Sequence, residues 1–143
     1  MAKSETCDVI VIGGGSSAFE AAVAARQSGA ERVVMLEKAP EPEYGGNARF
    51  SHTGFRFCHS GKEEIREFLP DVDAESYAKF VMAPYTEAQF VADLNRVTQG
   101  LIDPDLAETL ARESNAAAHW ALDTGIKWIP ERFATVEVQH HEL

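Results

Sequence analysis

Gly13, Gly15 and Ala18 stand in the spacing G-x-G-x-x-G/A directly after the apolar run Val9-Ile10-Val11-Ile12. Each type has a physical task there. Gly13 allows a tight turn, Gly15 places no Cβ between the backbone and an approaching anion, and Ala18 lets the following helix lie close to the strand. The first N–H groups of a helix have no acceptors of their own and sit at the positive end of its dipole, so they suit phosphate. About 20 residues further on, Glu37 closes a second apolar run, where a carboxylate can accept both hydroxyls of an adenosine ribose and repel a 2′-phosphate. Together these residues suit the ADP part of a dinucleotide. Glycine spacing alone leaves FAD and NAD both open.

The elements that must position these groups are legible around them. Val9 to Ile12 reads as a strand buried on both faces, because apolar residues follow one another without alternation. Ser16 to Gln27, rich in alanine, is expected as a helix ended by Gly29, and Arg32 to Glu37 as a second buried strand. The result is a right-handed β-α-β unit. Pro40 and Pro42 then open a loop, and Tyr44 to Gly61, without a clear period, reads mostly as loop. Thr86 and Gln89 have the spacing of a capping box ahead of Phe90, Val91, Leu94 and Val97, and Gly100 stops that run. Asp103 followed by Pro104 marks the start of another helix that ends at Gly125. Ile126 to Ile129 is expected as a short strand.

Composition bounds the partners. The chain has 143 residues and a net charge of −10, which disfavours nucleic acid and anionic membrane surfaces. No apolar stretch approaches the roughly 20 residues of a membrane span. Glu63, Glu64, Glu67, Asp71, Asp73 and Glu75 read as a solvated acidic face. Cys7 and Cys58 make no disulfide framework, and a reduced, cytoplasmic setting follows as the default. His59, His119, His140 and His141 lack metal-ligand spacing, so no metal is expected. Trp120 and Trp128 read as packing residues. Arg49, Arg56 and Arg66 are candidates to face an anionic substrate.

Tyr44-Gly45-Gly46-Asn47-Ala48-Arg49-Phe50, taken with Val11-Ile12-Gly13-Gly14-Gly15 and Leu36-Glu37-Lys38-Ala39-Pro40, resembles the fumarate reductase/succinate dehydrogenase flavoprotein family, nearest its tricarballylate dehydrogenase-like branch. The similarity extends through Phe90 to Leu94, Asp103-Pro104 and Glu113-Ser114 to about Trp128. It implies an α/β fold: the N-terminal part of a Rossmann-like FAD-binding domain with a parallel sheet, followed by helices. Residues 1–61 would hold the β-α-β unit and the Gly-Gly-Asn loop, 62–130 a mostly helical segment, and 131–143 a tail.

The resemblance implies FAD as cofactor. Ser17 becomes a pyrophosphate contact and Glu37 the ribose acceptor. Gly46, Asn47, Ala48, Thr53 and Gly54 become loop contacts, joining Gly13, Gly15 and Ala18. The family commonly closes this loop with Gly-Gly, and Thr53-Gly54 departs from it. Ser51-His52-Thr53 resembles the string in which succinate dehydrogenase flavoproteins attach FAD covalently. Counted back from the closing glycines, however, the family histidine falls on Asn47, which implies non-covalent FAD. The family's arginine and histidine groups for a di- or tricarboxylate lie downstream of these residues, so no catalytic residue is expected here, and the chain reads as the N-terminal portion of a longer enzyme. The activity implied is hydride transfer between flavin and a small polycarboxylate, with an electron-transfer partner. The competing readings are a non-catalytic FAD- or partner-binding module and an NAD-dependent oxidoreductase.

Overall fold

The computed structural model describes residues 4–51 and 54–130. The chain divides into two compact units, Met1–Gly54 and Phe55–Leu143.

In the first unit, β1 (Val9–Ile12) pairs in parallel with β2 (Val33–Leu36), with Val9 opposite Val33 and Ile12 opposite Leu36. The N–H of Gly13 extends the ladder by donating to the Leu36 carbonyl at 2.7 Å. Helix α1 (Ser16–Gln27) makes the crossover and packs on both strands. Gly29 takes φ +100° at its end, the left-handed geometry that glycine adopts without steric cost. Asp8 fixes the entry to β2: its carboxylate accepts the N–H groups of Glu31 and Arg32 at 2.9 and 2.8 Å.

The strands are less buried than their sequence predicts. Val11 is buried, but Ile10 and Ile12 are 56% and 86% exposed, and Leu36 is 51% exposed. A two-stranded sheet with one helix on it covers one face only, so the opposite residues of each strand meet solvent among the described residues.

The second unit holds α2 (Lys62–Phe68), α3 (Ala74–Ala78), α4 (Glu87–Val97) and α5 (Pro104–Asp123). Helix α5 buries Ala107, Ala111, Ser114, Ala118 and Ala121, spaced alternately by four and three residues, and this small-residue stripe lets α4 approach it closely. Phe57, Ile65, Phe68, Leu69, Tyr77 and Ala118 form one core cluster, and Cys58, Phe90 and Ala111 a second. The segment before α2 is tied in by an antiparallel bridge between His59 and Tyr85. It is also held by the Cys58 N–H donating to Ser114 Oγ and by Asn115 Nδ2 donating to the Cys58 carbonyl, both at 2.9 Å.

Two further expectations are corrected. Ile126 to Ile129 is irregular rather than a strand. Ile126 still donates back to the Ala121 carbonyl after Gly125, and Trp128 packs edge-on against Phe55 and Phe68 instead of entering a ladder. The acidic block is not uniformly solvated. Glu63, Glu67, Asp71, Asp73 and Glu75 are exposed, but Glu64 turns inward with its side chain 19% exposed. Residues His52, Thr53, His140 and His141 and the expected 131–143 tail lie outside the described residues.

Candidate functional site

The glycine turn, Glu37 and the Gly-Gly-Asn loop all lie in the first unit, and the fold brings parts of all three together. Helix α1 starts at Gly15, whose φ of −82° and ψ of −178° have the form of an N-cap. The N–H groups of Ala18 and Phe19 both reach the Gly15 carbonyl, at 3.0 and 3.2 Å. The amides of Ser16 and Ser17 come too early in the helix to find an intrahelical acceptor. No side chain caps this helix, and its first turn carries no acid. Ser17 is exposed on that turn, and Ala18 is buried against the sheet side as its small size requires.

Gly13 takes φ +124°, so the turn relies on its lack of a side chain. Gly15 serves by close approach instead. A Cβ built on it would stand 3.5 Å from the Gly45 carbonyl oxygen, which puts the Gly45-Gly46 backbone directly against the glycine turn. Gly45 and Gly46 reach that position at φ +109° and +53°. A short 3₁₀ turn over Gly46–Phe50 follows, carrying Asn47 exposed and Ala48 half-buried.

Glu37 is half-buried at the end of β2, and its Oε1 accepts the Ala39 N–H at 2.8 Å. Its Oε2 lies over Gly14, where an added Cβ would stand only 2.7 Å away. Gly14 therefore makes room for the acid. Among the three glycines the motif gives tasks to Gly13 and Gly15, and the middle one, Gly14, is the signal that the motif passes over. Gly45, unassigned from sequence, likewise stands against the glycine turn. Gly54 donates its N–H to the Ser51 carbonyl at 3.3 Å, and that carbonyl is its nearest neighbour of note. Thr53 lies outside the described residues.

An adenine dinucleotide fits these groups. Unclaimed helix amides, a face without Cβ atoms and a fixed carboxylate at the end of the next strand are the donor and acceptor set that a diphosphate and a ribose require.

A cleft of about 670 Å³ lies elsewhere, within the second unit. Its walls include Phe55, Phe57, Phe68 and Trp128, and none of the expected cofactor residues lines it. Much of its polar rim is paired internally, although His59 Nδ1 and Trp128 Nε1 are buried without a hydrogen-bond partner. Asp93 Oδ2 accepts the Tyr85 hydroxyl at 2.8 Å and Arg56 Nη1 at 3.2 Å, while Asp93 Oδ1 accepts Arg96 at 3.0 Å. Arg56 is thereby committed to Asp93, and Arg66 donates to the Val72 carbonyl at 2.7 Å and lies over the Tyr77 ring. The unpaired groups of the cleft are two ring nitrogens among aromatic walls, whereas the glycine turn offers uncapped helix amides beside a carboxylate.

Glu64 carries the largest electrostatic perturbation in the second unit. Partial burial alone would raise its pKa, but hydrogen bonds from the Ser60 N–H and hydroxyl, from Asn115 and from His119 outweigh that and hold it at about 2. Burial lowers the His59 pKa, with the Glu64 charge opposing. Asn115 and His119 thereby tie α5 to Glu64 on α2, and the Glu64 carboxylate is fully engaged. Among the described residues no cluster of His, Cys, Asp and Glu could hold a metal ion, and no helix is long and apolar enough to cross a membrane.

The family described as FAD binding domain matches residues 8–141. Over 124 residues the chain is 30% identical to a fumarate reductase (cytochrome) of Shewanella frigidimarina, covering 87% of this chain and 19% of that protein. Over 125 residues it is 32% identical to a digoxin reductase of Eggerthella lenta, covering 86% of this chain and 19% of that one. The chain spans about a fifth of the length of these relatives.

Proposed function

The chain belongs to the FAD-binding domain family, and from that premise we propose that it is the dinucleotide-holding part of a flavin-dependent dehydrogenase or reductase acting on a small di- or tricarboxylate. The observation that carries the reading is the uncapped, acid-free start of α1 at Gly15, with Glu37 beside Gly14 and Gly45-Gly46 against Gly15.

In this reading the amides of Ser16 and Ser17, with the Ser17 hydroxyl, take the pyrophosphate, aided by the α1 dipole. Glu37 accepts the ribose hydroxyls with the oxygens left over after Ala39 has oriented it. Gly46, Asn47 and Ala48 close over the phosphates, and Thr53 and Gly54 extend the loop contacts. Bound FAD would supply the hydride-accepting and hydride-donating centre, with the protein orienting it. The cofactor is held without a covalent bond, because the family's linking position falls on Asn47, whose amide is no nucleophile toward flavin. FAD as cofactor leaves the NAD-dependent alternative without support.

The carboxylate substrate rests on the resemblance to the tricarballylate dehydrogenase-like branch and on relatives named as fumarate reductases. The relative named for digoxin makes the substrate the point to test. The intact protein should be yellow as purified and lose its colour to the supernatant on acid precipitation. Its reduced flavin should be reoxidised by fumarate or an unsaturated tricarboxylate. Reoxidation by neither acid, in a protein that does bind FAD, would reject the substrate assignment and leave the cofactor assignment standing.

A further inference from the structure

The loop that meets the glycine turn is built on two successive residues of left-handed backbone, Gly45 and Gly46. Glycines have more conformational freedom to lose than any other residue, so such a loop does not hold its shape unaided. Among the described residues, one side chain spans it. Arg49 Nη1 donates to the Pro42 carbonyl, closing the loop across seven residues. The stem of Arg49 also lies directly under the turn, because a Cβ on Gly45 would stand 3.3 Å from the Arg49 Cβ. The Gly45 carbonyl is in turn the group that faces Gly15.

We propose that Arg49 is a positioning residue for the cofactor site, pinning the loop at Pro42 so that Gly45-Gly46 stand ready against the glycine turn. The inference rests on the dinucleotide reading given above and adds to it a residue with no place in the glycine motif. Arg49 is exposed, so its hydrogen bond contributes little to global stability, where both partners are well solvated without it. Its effect falls on binding. Without the pin, the loop must be ordered at the moment the cofactor arrives, and that entropy is subtracted from the affinity.

The test titrates the intact apoprotein with FAD and with ADP, following flavin fluorescence and ADP competition, for wild type, Arg49→Met and Arg49→Lys. Arg49→Met should weaken both ligands by about tenfold, with the thermal midpoint of the ligand-free protein unchanged. Arg49→Lys, which keeps a charged donor on a long stem, should restore part of the loss. Arg49→Met binding as tightly as wild type would overturn the inference, as would a loss of affinity matched by a lower thermal midpoint. Wild-type protein that bound neither FAD nor ADP would instead defeat the underlying dinucleotide reading.

Discussion

Helix α1 starts at Gly15 with no side chain over its first amides, whereas α4 and α5 start at Thr86 and Asp103, whose oxygens occupy them. Thr86 and Gln89 form a complete capping box, with Gln89 Oε1 accepting the Thr86 N–H at 2.8 Å and Thr86 Oγ1 accepting the Gln89 N–H at 3.2 Å. Asp103 accepts two amides, those of Asp105 and Leu106. The same backbone groups are spent on stability at α4 and α5 and left unclaimed at α1; α2 also starts uncapped, at Gly61, but carries Glu63 and Glu64 in its first turn. A cap contributes roughly 1 kcal/mol, so its omission at α1 costs stability, and the uncapped end suits an anion.

The sharpest way to break that contrast is to give α1 a cap. Gly15→Asp suits the observed backbone and meets the Gly45 oxygen only at ordinary contact distance. Its carboxylate would occupy the amides and repel a diphosphate. FAD affinity should fall by at least about a hundredfold, since charge-assisted bonds are lost and like charges introduced. The thermal midpoint of the ligand-free protein should hold or rise, and equilibrium titration with a parallel melting curve reads both.

Glu37→Ala comes next. It removes the proposed ribose acceptor and should weaken FAD by roughly ten- to a hundredfold, the scale of a hydrogen bond to a charged group. ADP competition should weaken by the same factor. In the second unit the signs reverse. Thr86→Ala and Asp103→Ala should each lower unfolding stability by about 1 kcal/mol in urea titrations of the intact protein, with FAD affinity unchanged.

The gentlest contrast is in pH dependence. The Glu64 pKa is depressed from 4.5 to about 2 in the folded chain. A depressed carboxyl pKa means that the unfolded chain binds the proton more readily. The stability Glu64 contributes is therefore complete above pH 4.5 and is lost as pH falls toward 2. Glu64→Gln should flatten that acid limb of the stability profile, measured by denaturant titration across the window, without altering the FAD affinity at neutral pH.

Features written in adjacent side chains were legible from the sequence. The bounds of α1, the Thr86 box and the Asp103-Pro104 start follow from chemistry within one helical turn. FAD followed from the Gly-Gly-Asn segment, and the family match bears it out. Features that depend on long-range partners were not legible. Ile10 and Ile12 read as buried because their strand is apolar, yet burial requires cover on the second face. Ile126 to Ile129 reads as a strand, yet a strand needs a neighbour to pair with. Glu64 reads as one acid in an exposed block until Ser60 and Asn115 are seen to converge on it. The roles of Gly14 and Arg49 were hidden for the same reason, since one is defined by Glu37 across the sheet end and the other by Pro42 across a loop.

Amide hydrogen exchange of the intact protein, with and without FAD, tests the central claim most directly. FAD should slow exchange at Gly15, Ser16 and Ser17, while the first-turn amides of α4 and α5, already held by Thr86 and Asp103, should stay as they were. Protection confined to residues 55–130, with the start of α1 exchanging at the same rate in both states, would contradict the account.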